Sequence, residues 1–217
     1  MAPVGHEGAY RRSRRRLIEM LRNGGITDLA VLYAFDSIPR HVFVPEAVRH
    51  RAYEDGALPL GHGQTISRPG VHALHLQLAE LAGGERVLEI GTGSGFQTAL
   101  LAHLVEHVFS IEVVPEIAAM ARGALARIGC ANVTLRVGDG STGWPEEAPF
   151  DRILVGAAAP RLPEPLLEQL AADGRMLVPI GDDASQELTL VVRDAAGIRS
   201  EVIDRARFVP LVGEEGW

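Results

Sequence analysis

The sequence predicts an α/β fold, a doubly wound and mostly parallel sheet with a helical cap at its N-terminal end. Three observations carry this expectation. From Arg86 onward, short apolar runs alternate with segments of helical period, a spacing that builds a parallel sheet covered on both faces. The first run, Val87-Leu88-Glu89-Ile90, enters the glycine-rich turn Gly91-Thr92-Gly93-Ser94-Gly95 just before a helix. Such a turn lets the backbone approach a ligand closely at a helix N-terminus. The next two runs then end at acids, Glu112 and Asp139, and sheets of this kind bind ligands outside the carboxyl ends of their strands.

Taken in order, the first 55 residues read as helices joined by polar loops, punctuated by Pro39 and Pro45. A helix through Leu17, Ile18, Met20 and Leu21 begins on Arg11, Arg12, Arg14, Arg15 and Arg16. Such a run is either a solvated helix face or a contact for phosphate or lipid. Leu58 to Pro69 is rich in Gly and Pro and reads as an irregular loop, followed by a helix over Val71 to Leu81. Strands are expected at Val87 to Ile90, His107 to Ile111, Val133 to Val137, Arg152 to Val155 and Met176 to Pro179. The intervening helices are Gln97 to Leu104, Pro115 to Ile128 and Pro163 to Ala171. Glu187 to Val192 and Ile198 to Val209 would add antiparallel strands at one edge. The chain thus reads as one domain over 1–217, with a cap over 1–57, a loop over 58–70 and an α/β core over 86–217.

Composition narrows the function. With 47% hydrophobic and 23% charged residues, the chain can build an ordinary core without disulfides or metals. Its single cysteine, Cys130, excludes an internal disulfide and any multi-cysteine metal site, and no metal is expected. The net charge of −7 argues against a nucleic-acid binder. No apolar leader follows Met1, and no run approaches the roughly 18 apolar residues of a membrane span. The expectation is a cytoplasmic protein without membrane contacts.

Two eliminations sharpen the glycine turn. No Gly-Lys-Ser/Thr follows it, as a P-loop requires, and the third glycine of the dinucleotide fingerprint is replaced by Phe96. Gly91, Thr92, Gly93 and Ser94 suit S-adenosylmethionine, which has no pyrophosphate. Glu112 stands about 20 residues beyond Gly91, where an acid would grip the ribose hydroxyls. Asp139, with Gly140 beside it, is placed to accept from the adenine amino group. Glu89, inside the first strand, would orient the ligand's ammonium through water or cap local backbone groups. A carboxylate methyl acceptor, with a reference pKa of about 4, is already ionised and needs no general base. The loop from Gly61 to Pro69 accordingly offers hydroxyls and an amide rather than a His–carboxylate pair.

The stretch Leu58-Pro59-Leu60-Gly61-His62-Gly63-Gln64-Thr65-Ile66-Ser67, Pro69, and the turn Val87 to Gly95 resemble the protein-L-isoaspartate O-methyltransferase family. So do Asp36 to Pro45, Gly138-Asp139-Gly140, Glu147 to Asp151, Gly156 to Pro160 and Arg207-Phe208-Val209-Pro210-Leu211. The resemblance runs from about Arg12 to Val212. It implies a Rossmann-like class I methyltransferase that esterifies the α-carboxylate of L-isoaspartyl (and D-aspartyl) residues in damaged proteins and peptides. S-adenosylmethionine would be the cofactor, leaving S-adenosylhomocysteine, and the ester would close to a succinimide that opens partly to normal aspartate. The resemblance places Ser67 in the active site, Ser67 and Val209 at the substrate, and Thr65, Ile66 and His72 at the cofactor. A monomer is expected.

Three positions depart from the family pattern. Gly70 stands where an aromatic or His is common, Arg68 where Gln or Ala is usual, and Phe96 replaces Tyr. The first two bear on peptide preference more than on the reaction. Esterification of an ordinary aspartate in a dedicated peptide, a small-molecule acceptor and a non-catalytic scaffold remain alternatives, because fold alone does not fix the substrate.

Overall fold

A computed structural model describes residues 7–182 and 184–217. The first six residues of the expected cap, where a leader was expected to be absent, lie outside that range. Helices α1 (Glu7–Asn23) and α2 (Leu29–Ser37) form the cap, followed by two 3-10 turns at Arg40–Phe43 and Glu46–Arg51. Leu17 and Leu21, one turn apart on α1, are buried, while Arg11, Arg12, Arg15 and Arg16 are exposed. Arg14 differs, because its guanidinium donates to the Asp36 carbonyl and fastens α1 to the end of α2. Asp28 starts α2 by accepting the N–H groups of Ala30 and Val31 at 2.8 and 3.2 Å.

The segment expected as an irregular loop is instead a short hairpin, β1 (Leu58–Gly61) and β2 (Gln64–Ile66), paired antiparallel. His62 and Gly63 turn it with φ of 52° and 72°, the positive pair that two-residue hairpin turns favour. Ser67 and Arg68 follow at once, and α3 (Pro69–Ala79) starts on Pro69, whose fixed φ suits a first helical position. The helix therefore begins two residues earlier than expected, so its N-terminus abuts the hairpin.

Seven strands form the main sheet: β3 (Arg86–Ile90), β4 (His107–Glu112), β5 (Val133–Val137), β6 (Phe150–Val155), β7 (Leu170–Gly181), β8 (Gln186–Asp194) and β9 (Gly197–Ala206), in the order 5-4-3-6-7-8-9. The five from β3 to β7 run parallel, and β8 and β9 are antiparallel at the edge, as expected. The connecting helices are α4 (Phe96–Leu104), α5 (Pro115–Arg127) and α6 (Glu164–Glu168). Alternate residues divide between two cores. Val87, Val108, Leu154 and Leu177 join the cap, α3 and α4 on one face, while Leu88, Phe109, Ile153 and Met176 pack with α6 on the other.

Other boundaries differ from expectation as well, β6 and β7 beginning at Phe150 and Leu170 rather than at Arg152 and Met176. The helix expected over Pro163 to Ala171 stops at Glu168, because Leu170 already pairs with Phe150 and the Phe150 N–H bonds to Gln169 at 2.9 Å. The last strand ends at Ala206 rather than Val209. Residues beyond it leave the sheet and pack against the loop after β6, with Ala158 N–H donating to Val209 O and Leu211 N–H to Ala158 O, both at 2.8 Å.

Candidate active site

Strands β4 and β5 lie on one side of β3 and β6 lies on the other, so the chain reverses its direction of sheet growth between β3 and β6. Such a switch point leaves a crevice at the carboxyl ends of the strands. Here the crevice is a cleft of about 880 Å³, including its open mouth. Thr65, Ile66, Ser67, His72, Gly91, Thr92, Gly93, Ser94, Glu112, Gly140 and Val209 all line it. The structure thus brings together residues far apart in the chain, from the hairpin, α3, four strand ends and the C-terminal segment.

The glycine turn is held by the neighbouring strand. Gly91 N–H and Thr92 N–H donate to Ile111 O at 2.8 and 3.3 Å, and Gly93 N–H donates to Glu112 Oε2 at 2.8 Å. Gly91 and Gly93 have φ of 88° and 53°, and a Cβ on Gly93 would meet nothing within 4 Å. Glu112 also accepts the Val114 N–H at 3.0 Å. A carboxylate can accept about four hydrogen bonds, so Glu112 retains capacity for a ligand.

Glu89 and Asp139 are not among the lining residues. Glu89 is fully buried beneath the turn, and accepts hydrogen bonds from Gln97 Nε2 at 3.2 Å, Thr98 Oγ1 at 2.5 Å and Ser110 Oγ at 2.7 Å. Burial raises its pKa to about 7, and the three donors oppose that rise. Its donors are side chains, not the backbone groups the sequence suggested. Asp139 accepts the N–H groups of Ser141 and Glu214 at 2.7 and 2.8 Å, clasping the C-terminal segment. Partial burial pushes its pKa up, but the Glu214 and Ser141 hydrogen bonds outweigh this and leave it below the ordinary carboxylate value.

Several residues escaped the sequence reading. His75, one helical turn after His72, lines the same cleft and stacks on Phe208 with ring centroids 5.7 Å apart. Gln97 also lines it and faces the His75 ring, while His72 Nδ1 is buried without a partner among the described residues. Burial lowers the His72 pKa well below its usual value, helped by Arg40 and His75, and burial lowers that of His75 to about 4. Arg40 is 0% exposed. It donates to Ala52 O at 2.8 Å and to Ser67 O at 2.9 Å, with its guanidinium 4.7 Å from the Phe96 ring centre. Burial lowers its pKa to about 9, still protonated at neutral pH. Phe96 in turn meets Phe35 and Phe43 of the cap at 5.7 Å and His72 at 5.6 Å.

Arg40 grips the main chain of Ser67, and the Ser67 hydroxyl makes no hydrogen bond among the described residues. Thr65, Ser67, Phe208 and Val209 also border a second, wider cleft of about 1250 Å³, including its open face. Ser67 is therefore at the wall shared by the two.

The family model for protein-L-isoaspartate(D-aspartate) O-methyltransferase (PCMT) matches residues 12–216. The chain belongs to this family. A protein-L-isoaspartate O-methyltransferase of Syntrophobacter fumaroxidans is 49% identical over 209 residues, covering 96% of this chain and 98% of that one. One from Hyperthermus butylicus is 48% identical, covering all of this chain and 96% of that one. Among solved structures, a protein-L-isoaspartate O-methyltransferase superposes with a TM-score of 0.85 at 31% identity, covering 94% of this chain and 67% of that one. A Plasmodium falciparum structure described as a protein of this family in complex with S-adenosyl-L-homocysteine gives 0.81 at 28% identity, covering 92% and 98%. The mostly parallel sheet and the switch-point cleft are the class I methyltransferase architecture of the family.

Proposed function

We propose that this protein transfers the methyl group of S-adenosylmethionine to the α-carboxylate of L-isoaspartyl residues in damaged proteins, with Ser67 orienting the acceptor. The observation that carries this reading is the Ser67 hydroxyl, without a partner among the described residues and set where the two clefts meet. The first cleft suits the cofactor. His72 Nδ1, buried without a partner among the described residues, would be satisfied by a polar ligand. Gly93 leaves open space, and Glu112 sits where ribose hydroxyls could donate to it. When bound, S-adenosylmethionine supplies an electrophilic methyl group on a sulfonium sulfur. Thr65, Ile66, His72, the turn Gly91 to Ser94, Glu112 and Gly140 would hold it, while Asp139 fixes the C-terminal wall and Glu89 supports the turn from beneath.

The chain's own work is positioning. The Ser67 hydroxyl would donate to one oxygen of the ionised acceptor carboxylate, and Val209 would pack against its peptide. His72 and His75 stay neutral at physiological pH, so neither competes as a cation for the carboxylate. The methyl ester makes the α-carbonyl a better target for the neighbouring amide nitrogen, whose attack expels methanol and closes a succinimide without the enzyme. We read the protein as a cytoplasmic monomer without nucleic-acid partners, the last of these supported by its net charge of −7. Methyl transfer from labelled S-adenosylmethionine to matched peptides tests the assignment. An isoaspartyl peptide should react far faster than its aspartyl twin, and comparable rates would favour a dedicated aspartyl substrate instead.

A further inference from the structure

The second cleft has a charge opposite to that of the whole molecule. Its charged lining residues are Arg68, Arg205, Arg207 and Asp204, in a chain of net charge −7. All four are exposed. None of the three arginines has an ion-pair partner among the described residues. Nearby acids offset part of this charge without forming an ion pair with the arginines among the described residues. Asp204 accepts the backbone N–H of Arg205 at 2.7 Å, and Asp55 accepts that of Gly70 at 2.8 Å. Glu187 stands opposite Arg205 in the β8–β9 ladder without an ion pair between them. Arg68 follows Ser67 directly, and Arg207 precedes Phe208 and Val209 at the shared wall.

We infer that this cleft selects isoaspartyl peptides whose flanking residues are acidic, with Arg68, Arg205 and Arg207 as the specificity determinants. The inference rests on the isoaspartyl reading of Ser67, because the peptide must run through the second cleft to present its carboxylate there. Three guanidiniums around one open groove attract acidic side chains within a Debye length of about 8 Å at physiological salt. They repel lysines by the same field. The contacts are solvent-exposed and each is weak, so the preference is graded and sensitive to salt.

The test uses three isoaspartyl peptides identical except that the residues on either side of the isoaspartate are both Glu, both Gln or both Lys. At low ionic strength, kcat/KM should fall in the order Glu, Gln, Lys, with about tenfold between the extremes, mostly through KM. The difference should shrink in 0.5 M salt, a concentration at which the Debye length is only about 4 Å. Replacing all three arginines (R68Q, R205Q, R207Q) should bring the Glu-to-Lys ratio close to one, whereas the matching lysine variant should restore it. Adenosylhomocysteine titration verifies that each variant is folded. Equal kcat/KM for the Glu and Lys peptides in the unmodified protein overturns the inference while leaving isoaspartyl methylation intact, as does a preference that survives the glutamine variant. No methylation of any of the three peptides overturns the functional reading itself, and the inference with it.

Discussion

Ser67 has its main chain fixed by Arg40 and its side chain left over for chemistry. Ser67→Ala should therefore preserve the loop and lower turnover by about 30- to 1000-fold, the effect of roughly 2 to 4 kcal/mol of lost transition-state stabilisation. Adenosylhomocysteine affinity should be unchanged in calorimetry, and full activity in the variant would remove Ser67 from its role. Glu89 gives a pH signature. Its folded pKa of about 7 lies above the ordinary carboxyl value of 4.5, so the native state holds the proton more tightly than the unfolded chain. The stability this confers is complete below about pH 4.5 and is lost as pH rises through about 7. Glu89→Gln removes that loss, and the stability of the variant relative to the parent should rise by on the order of 3 kcal/mol between pH 4.5 and 8. Denaturant melts across that range measure it, and a flat difference would falsify the assignment of the proton to Glu89. That Ser67, His72 and Glu112 line the cleft was legible in the sequence, because family resemblance marks the first two and strand-end position the third. Arg40 and His75 were not. A charged residue reads as surface, and nothing in Ile38-Pro39-Arg40-His41 signals that a fold 27 residues later supplies the carbonyl it meets.

Elements with a strong period were read well, and mixed ones poorly. Strands β3, β4 and β6 announce themselves by largely buried apolar runs, whereas β5, the exposed edge strand, shows itself only by its alternation. The β1–β2 hairpin was hidden because Pro59 and the glycines at 61 and 63 look like loop residues, although Pro59 occupies the exposed, short-edge position a strand tolerates. The α6–β7 boundary failed because Leu166, Leu167 and Leu170 fit a helix as well as the start of a strand, and the pairing of Leu170 with Phe150 decides it only in three dimensions. Strand ends carry the next expectation. Glu112→Ala removes acceptors for the Gly93 N–H and for a ligand, and should lower adenosylhomocysteine affinity about tenfold to a hundredfold. Asp139→Ala should lower affinity as well, by releasing the Glu214 N–H and loosening the wall formed by Val209 to Val212. It should also reduce the melting temperature. Calorimetric titration and thermal melts separate the two effects, and unchanged affinity in both variants contradicts the placement of the site at these strand ends.

Across the whole molecule, the alternation of β and α segments foretold the parallel sheet, but not which strands would be neighbours. The order 5-4-3-6-7 requires β6 to cross to the far side of β3, and only the packed chain reveals it. That crossing makes the cleft, and Phe96 joins the cleft to the cap. The ring of Phe96 begins the helix that follows the glycine turn, yet it packs on Phe35 and Phe43 more than fifty residues earlier in the chain. Any coupling carried by this contact is reciprocal, so a ligand that steadies the turn steadies the cap by the coupling free energy that a loosened cap would take from binding. Such a link would act at a distance, because no residue of α2 lines the cleft. With adenosylhomocysteine at saturation, the amide protons of Val31 to Phe35 should exchange with solvent deuterium more slowly than in its absence. Slowed exchange restricted to the cleft would show that Phe96 packs against the cap without transmitting anything through it.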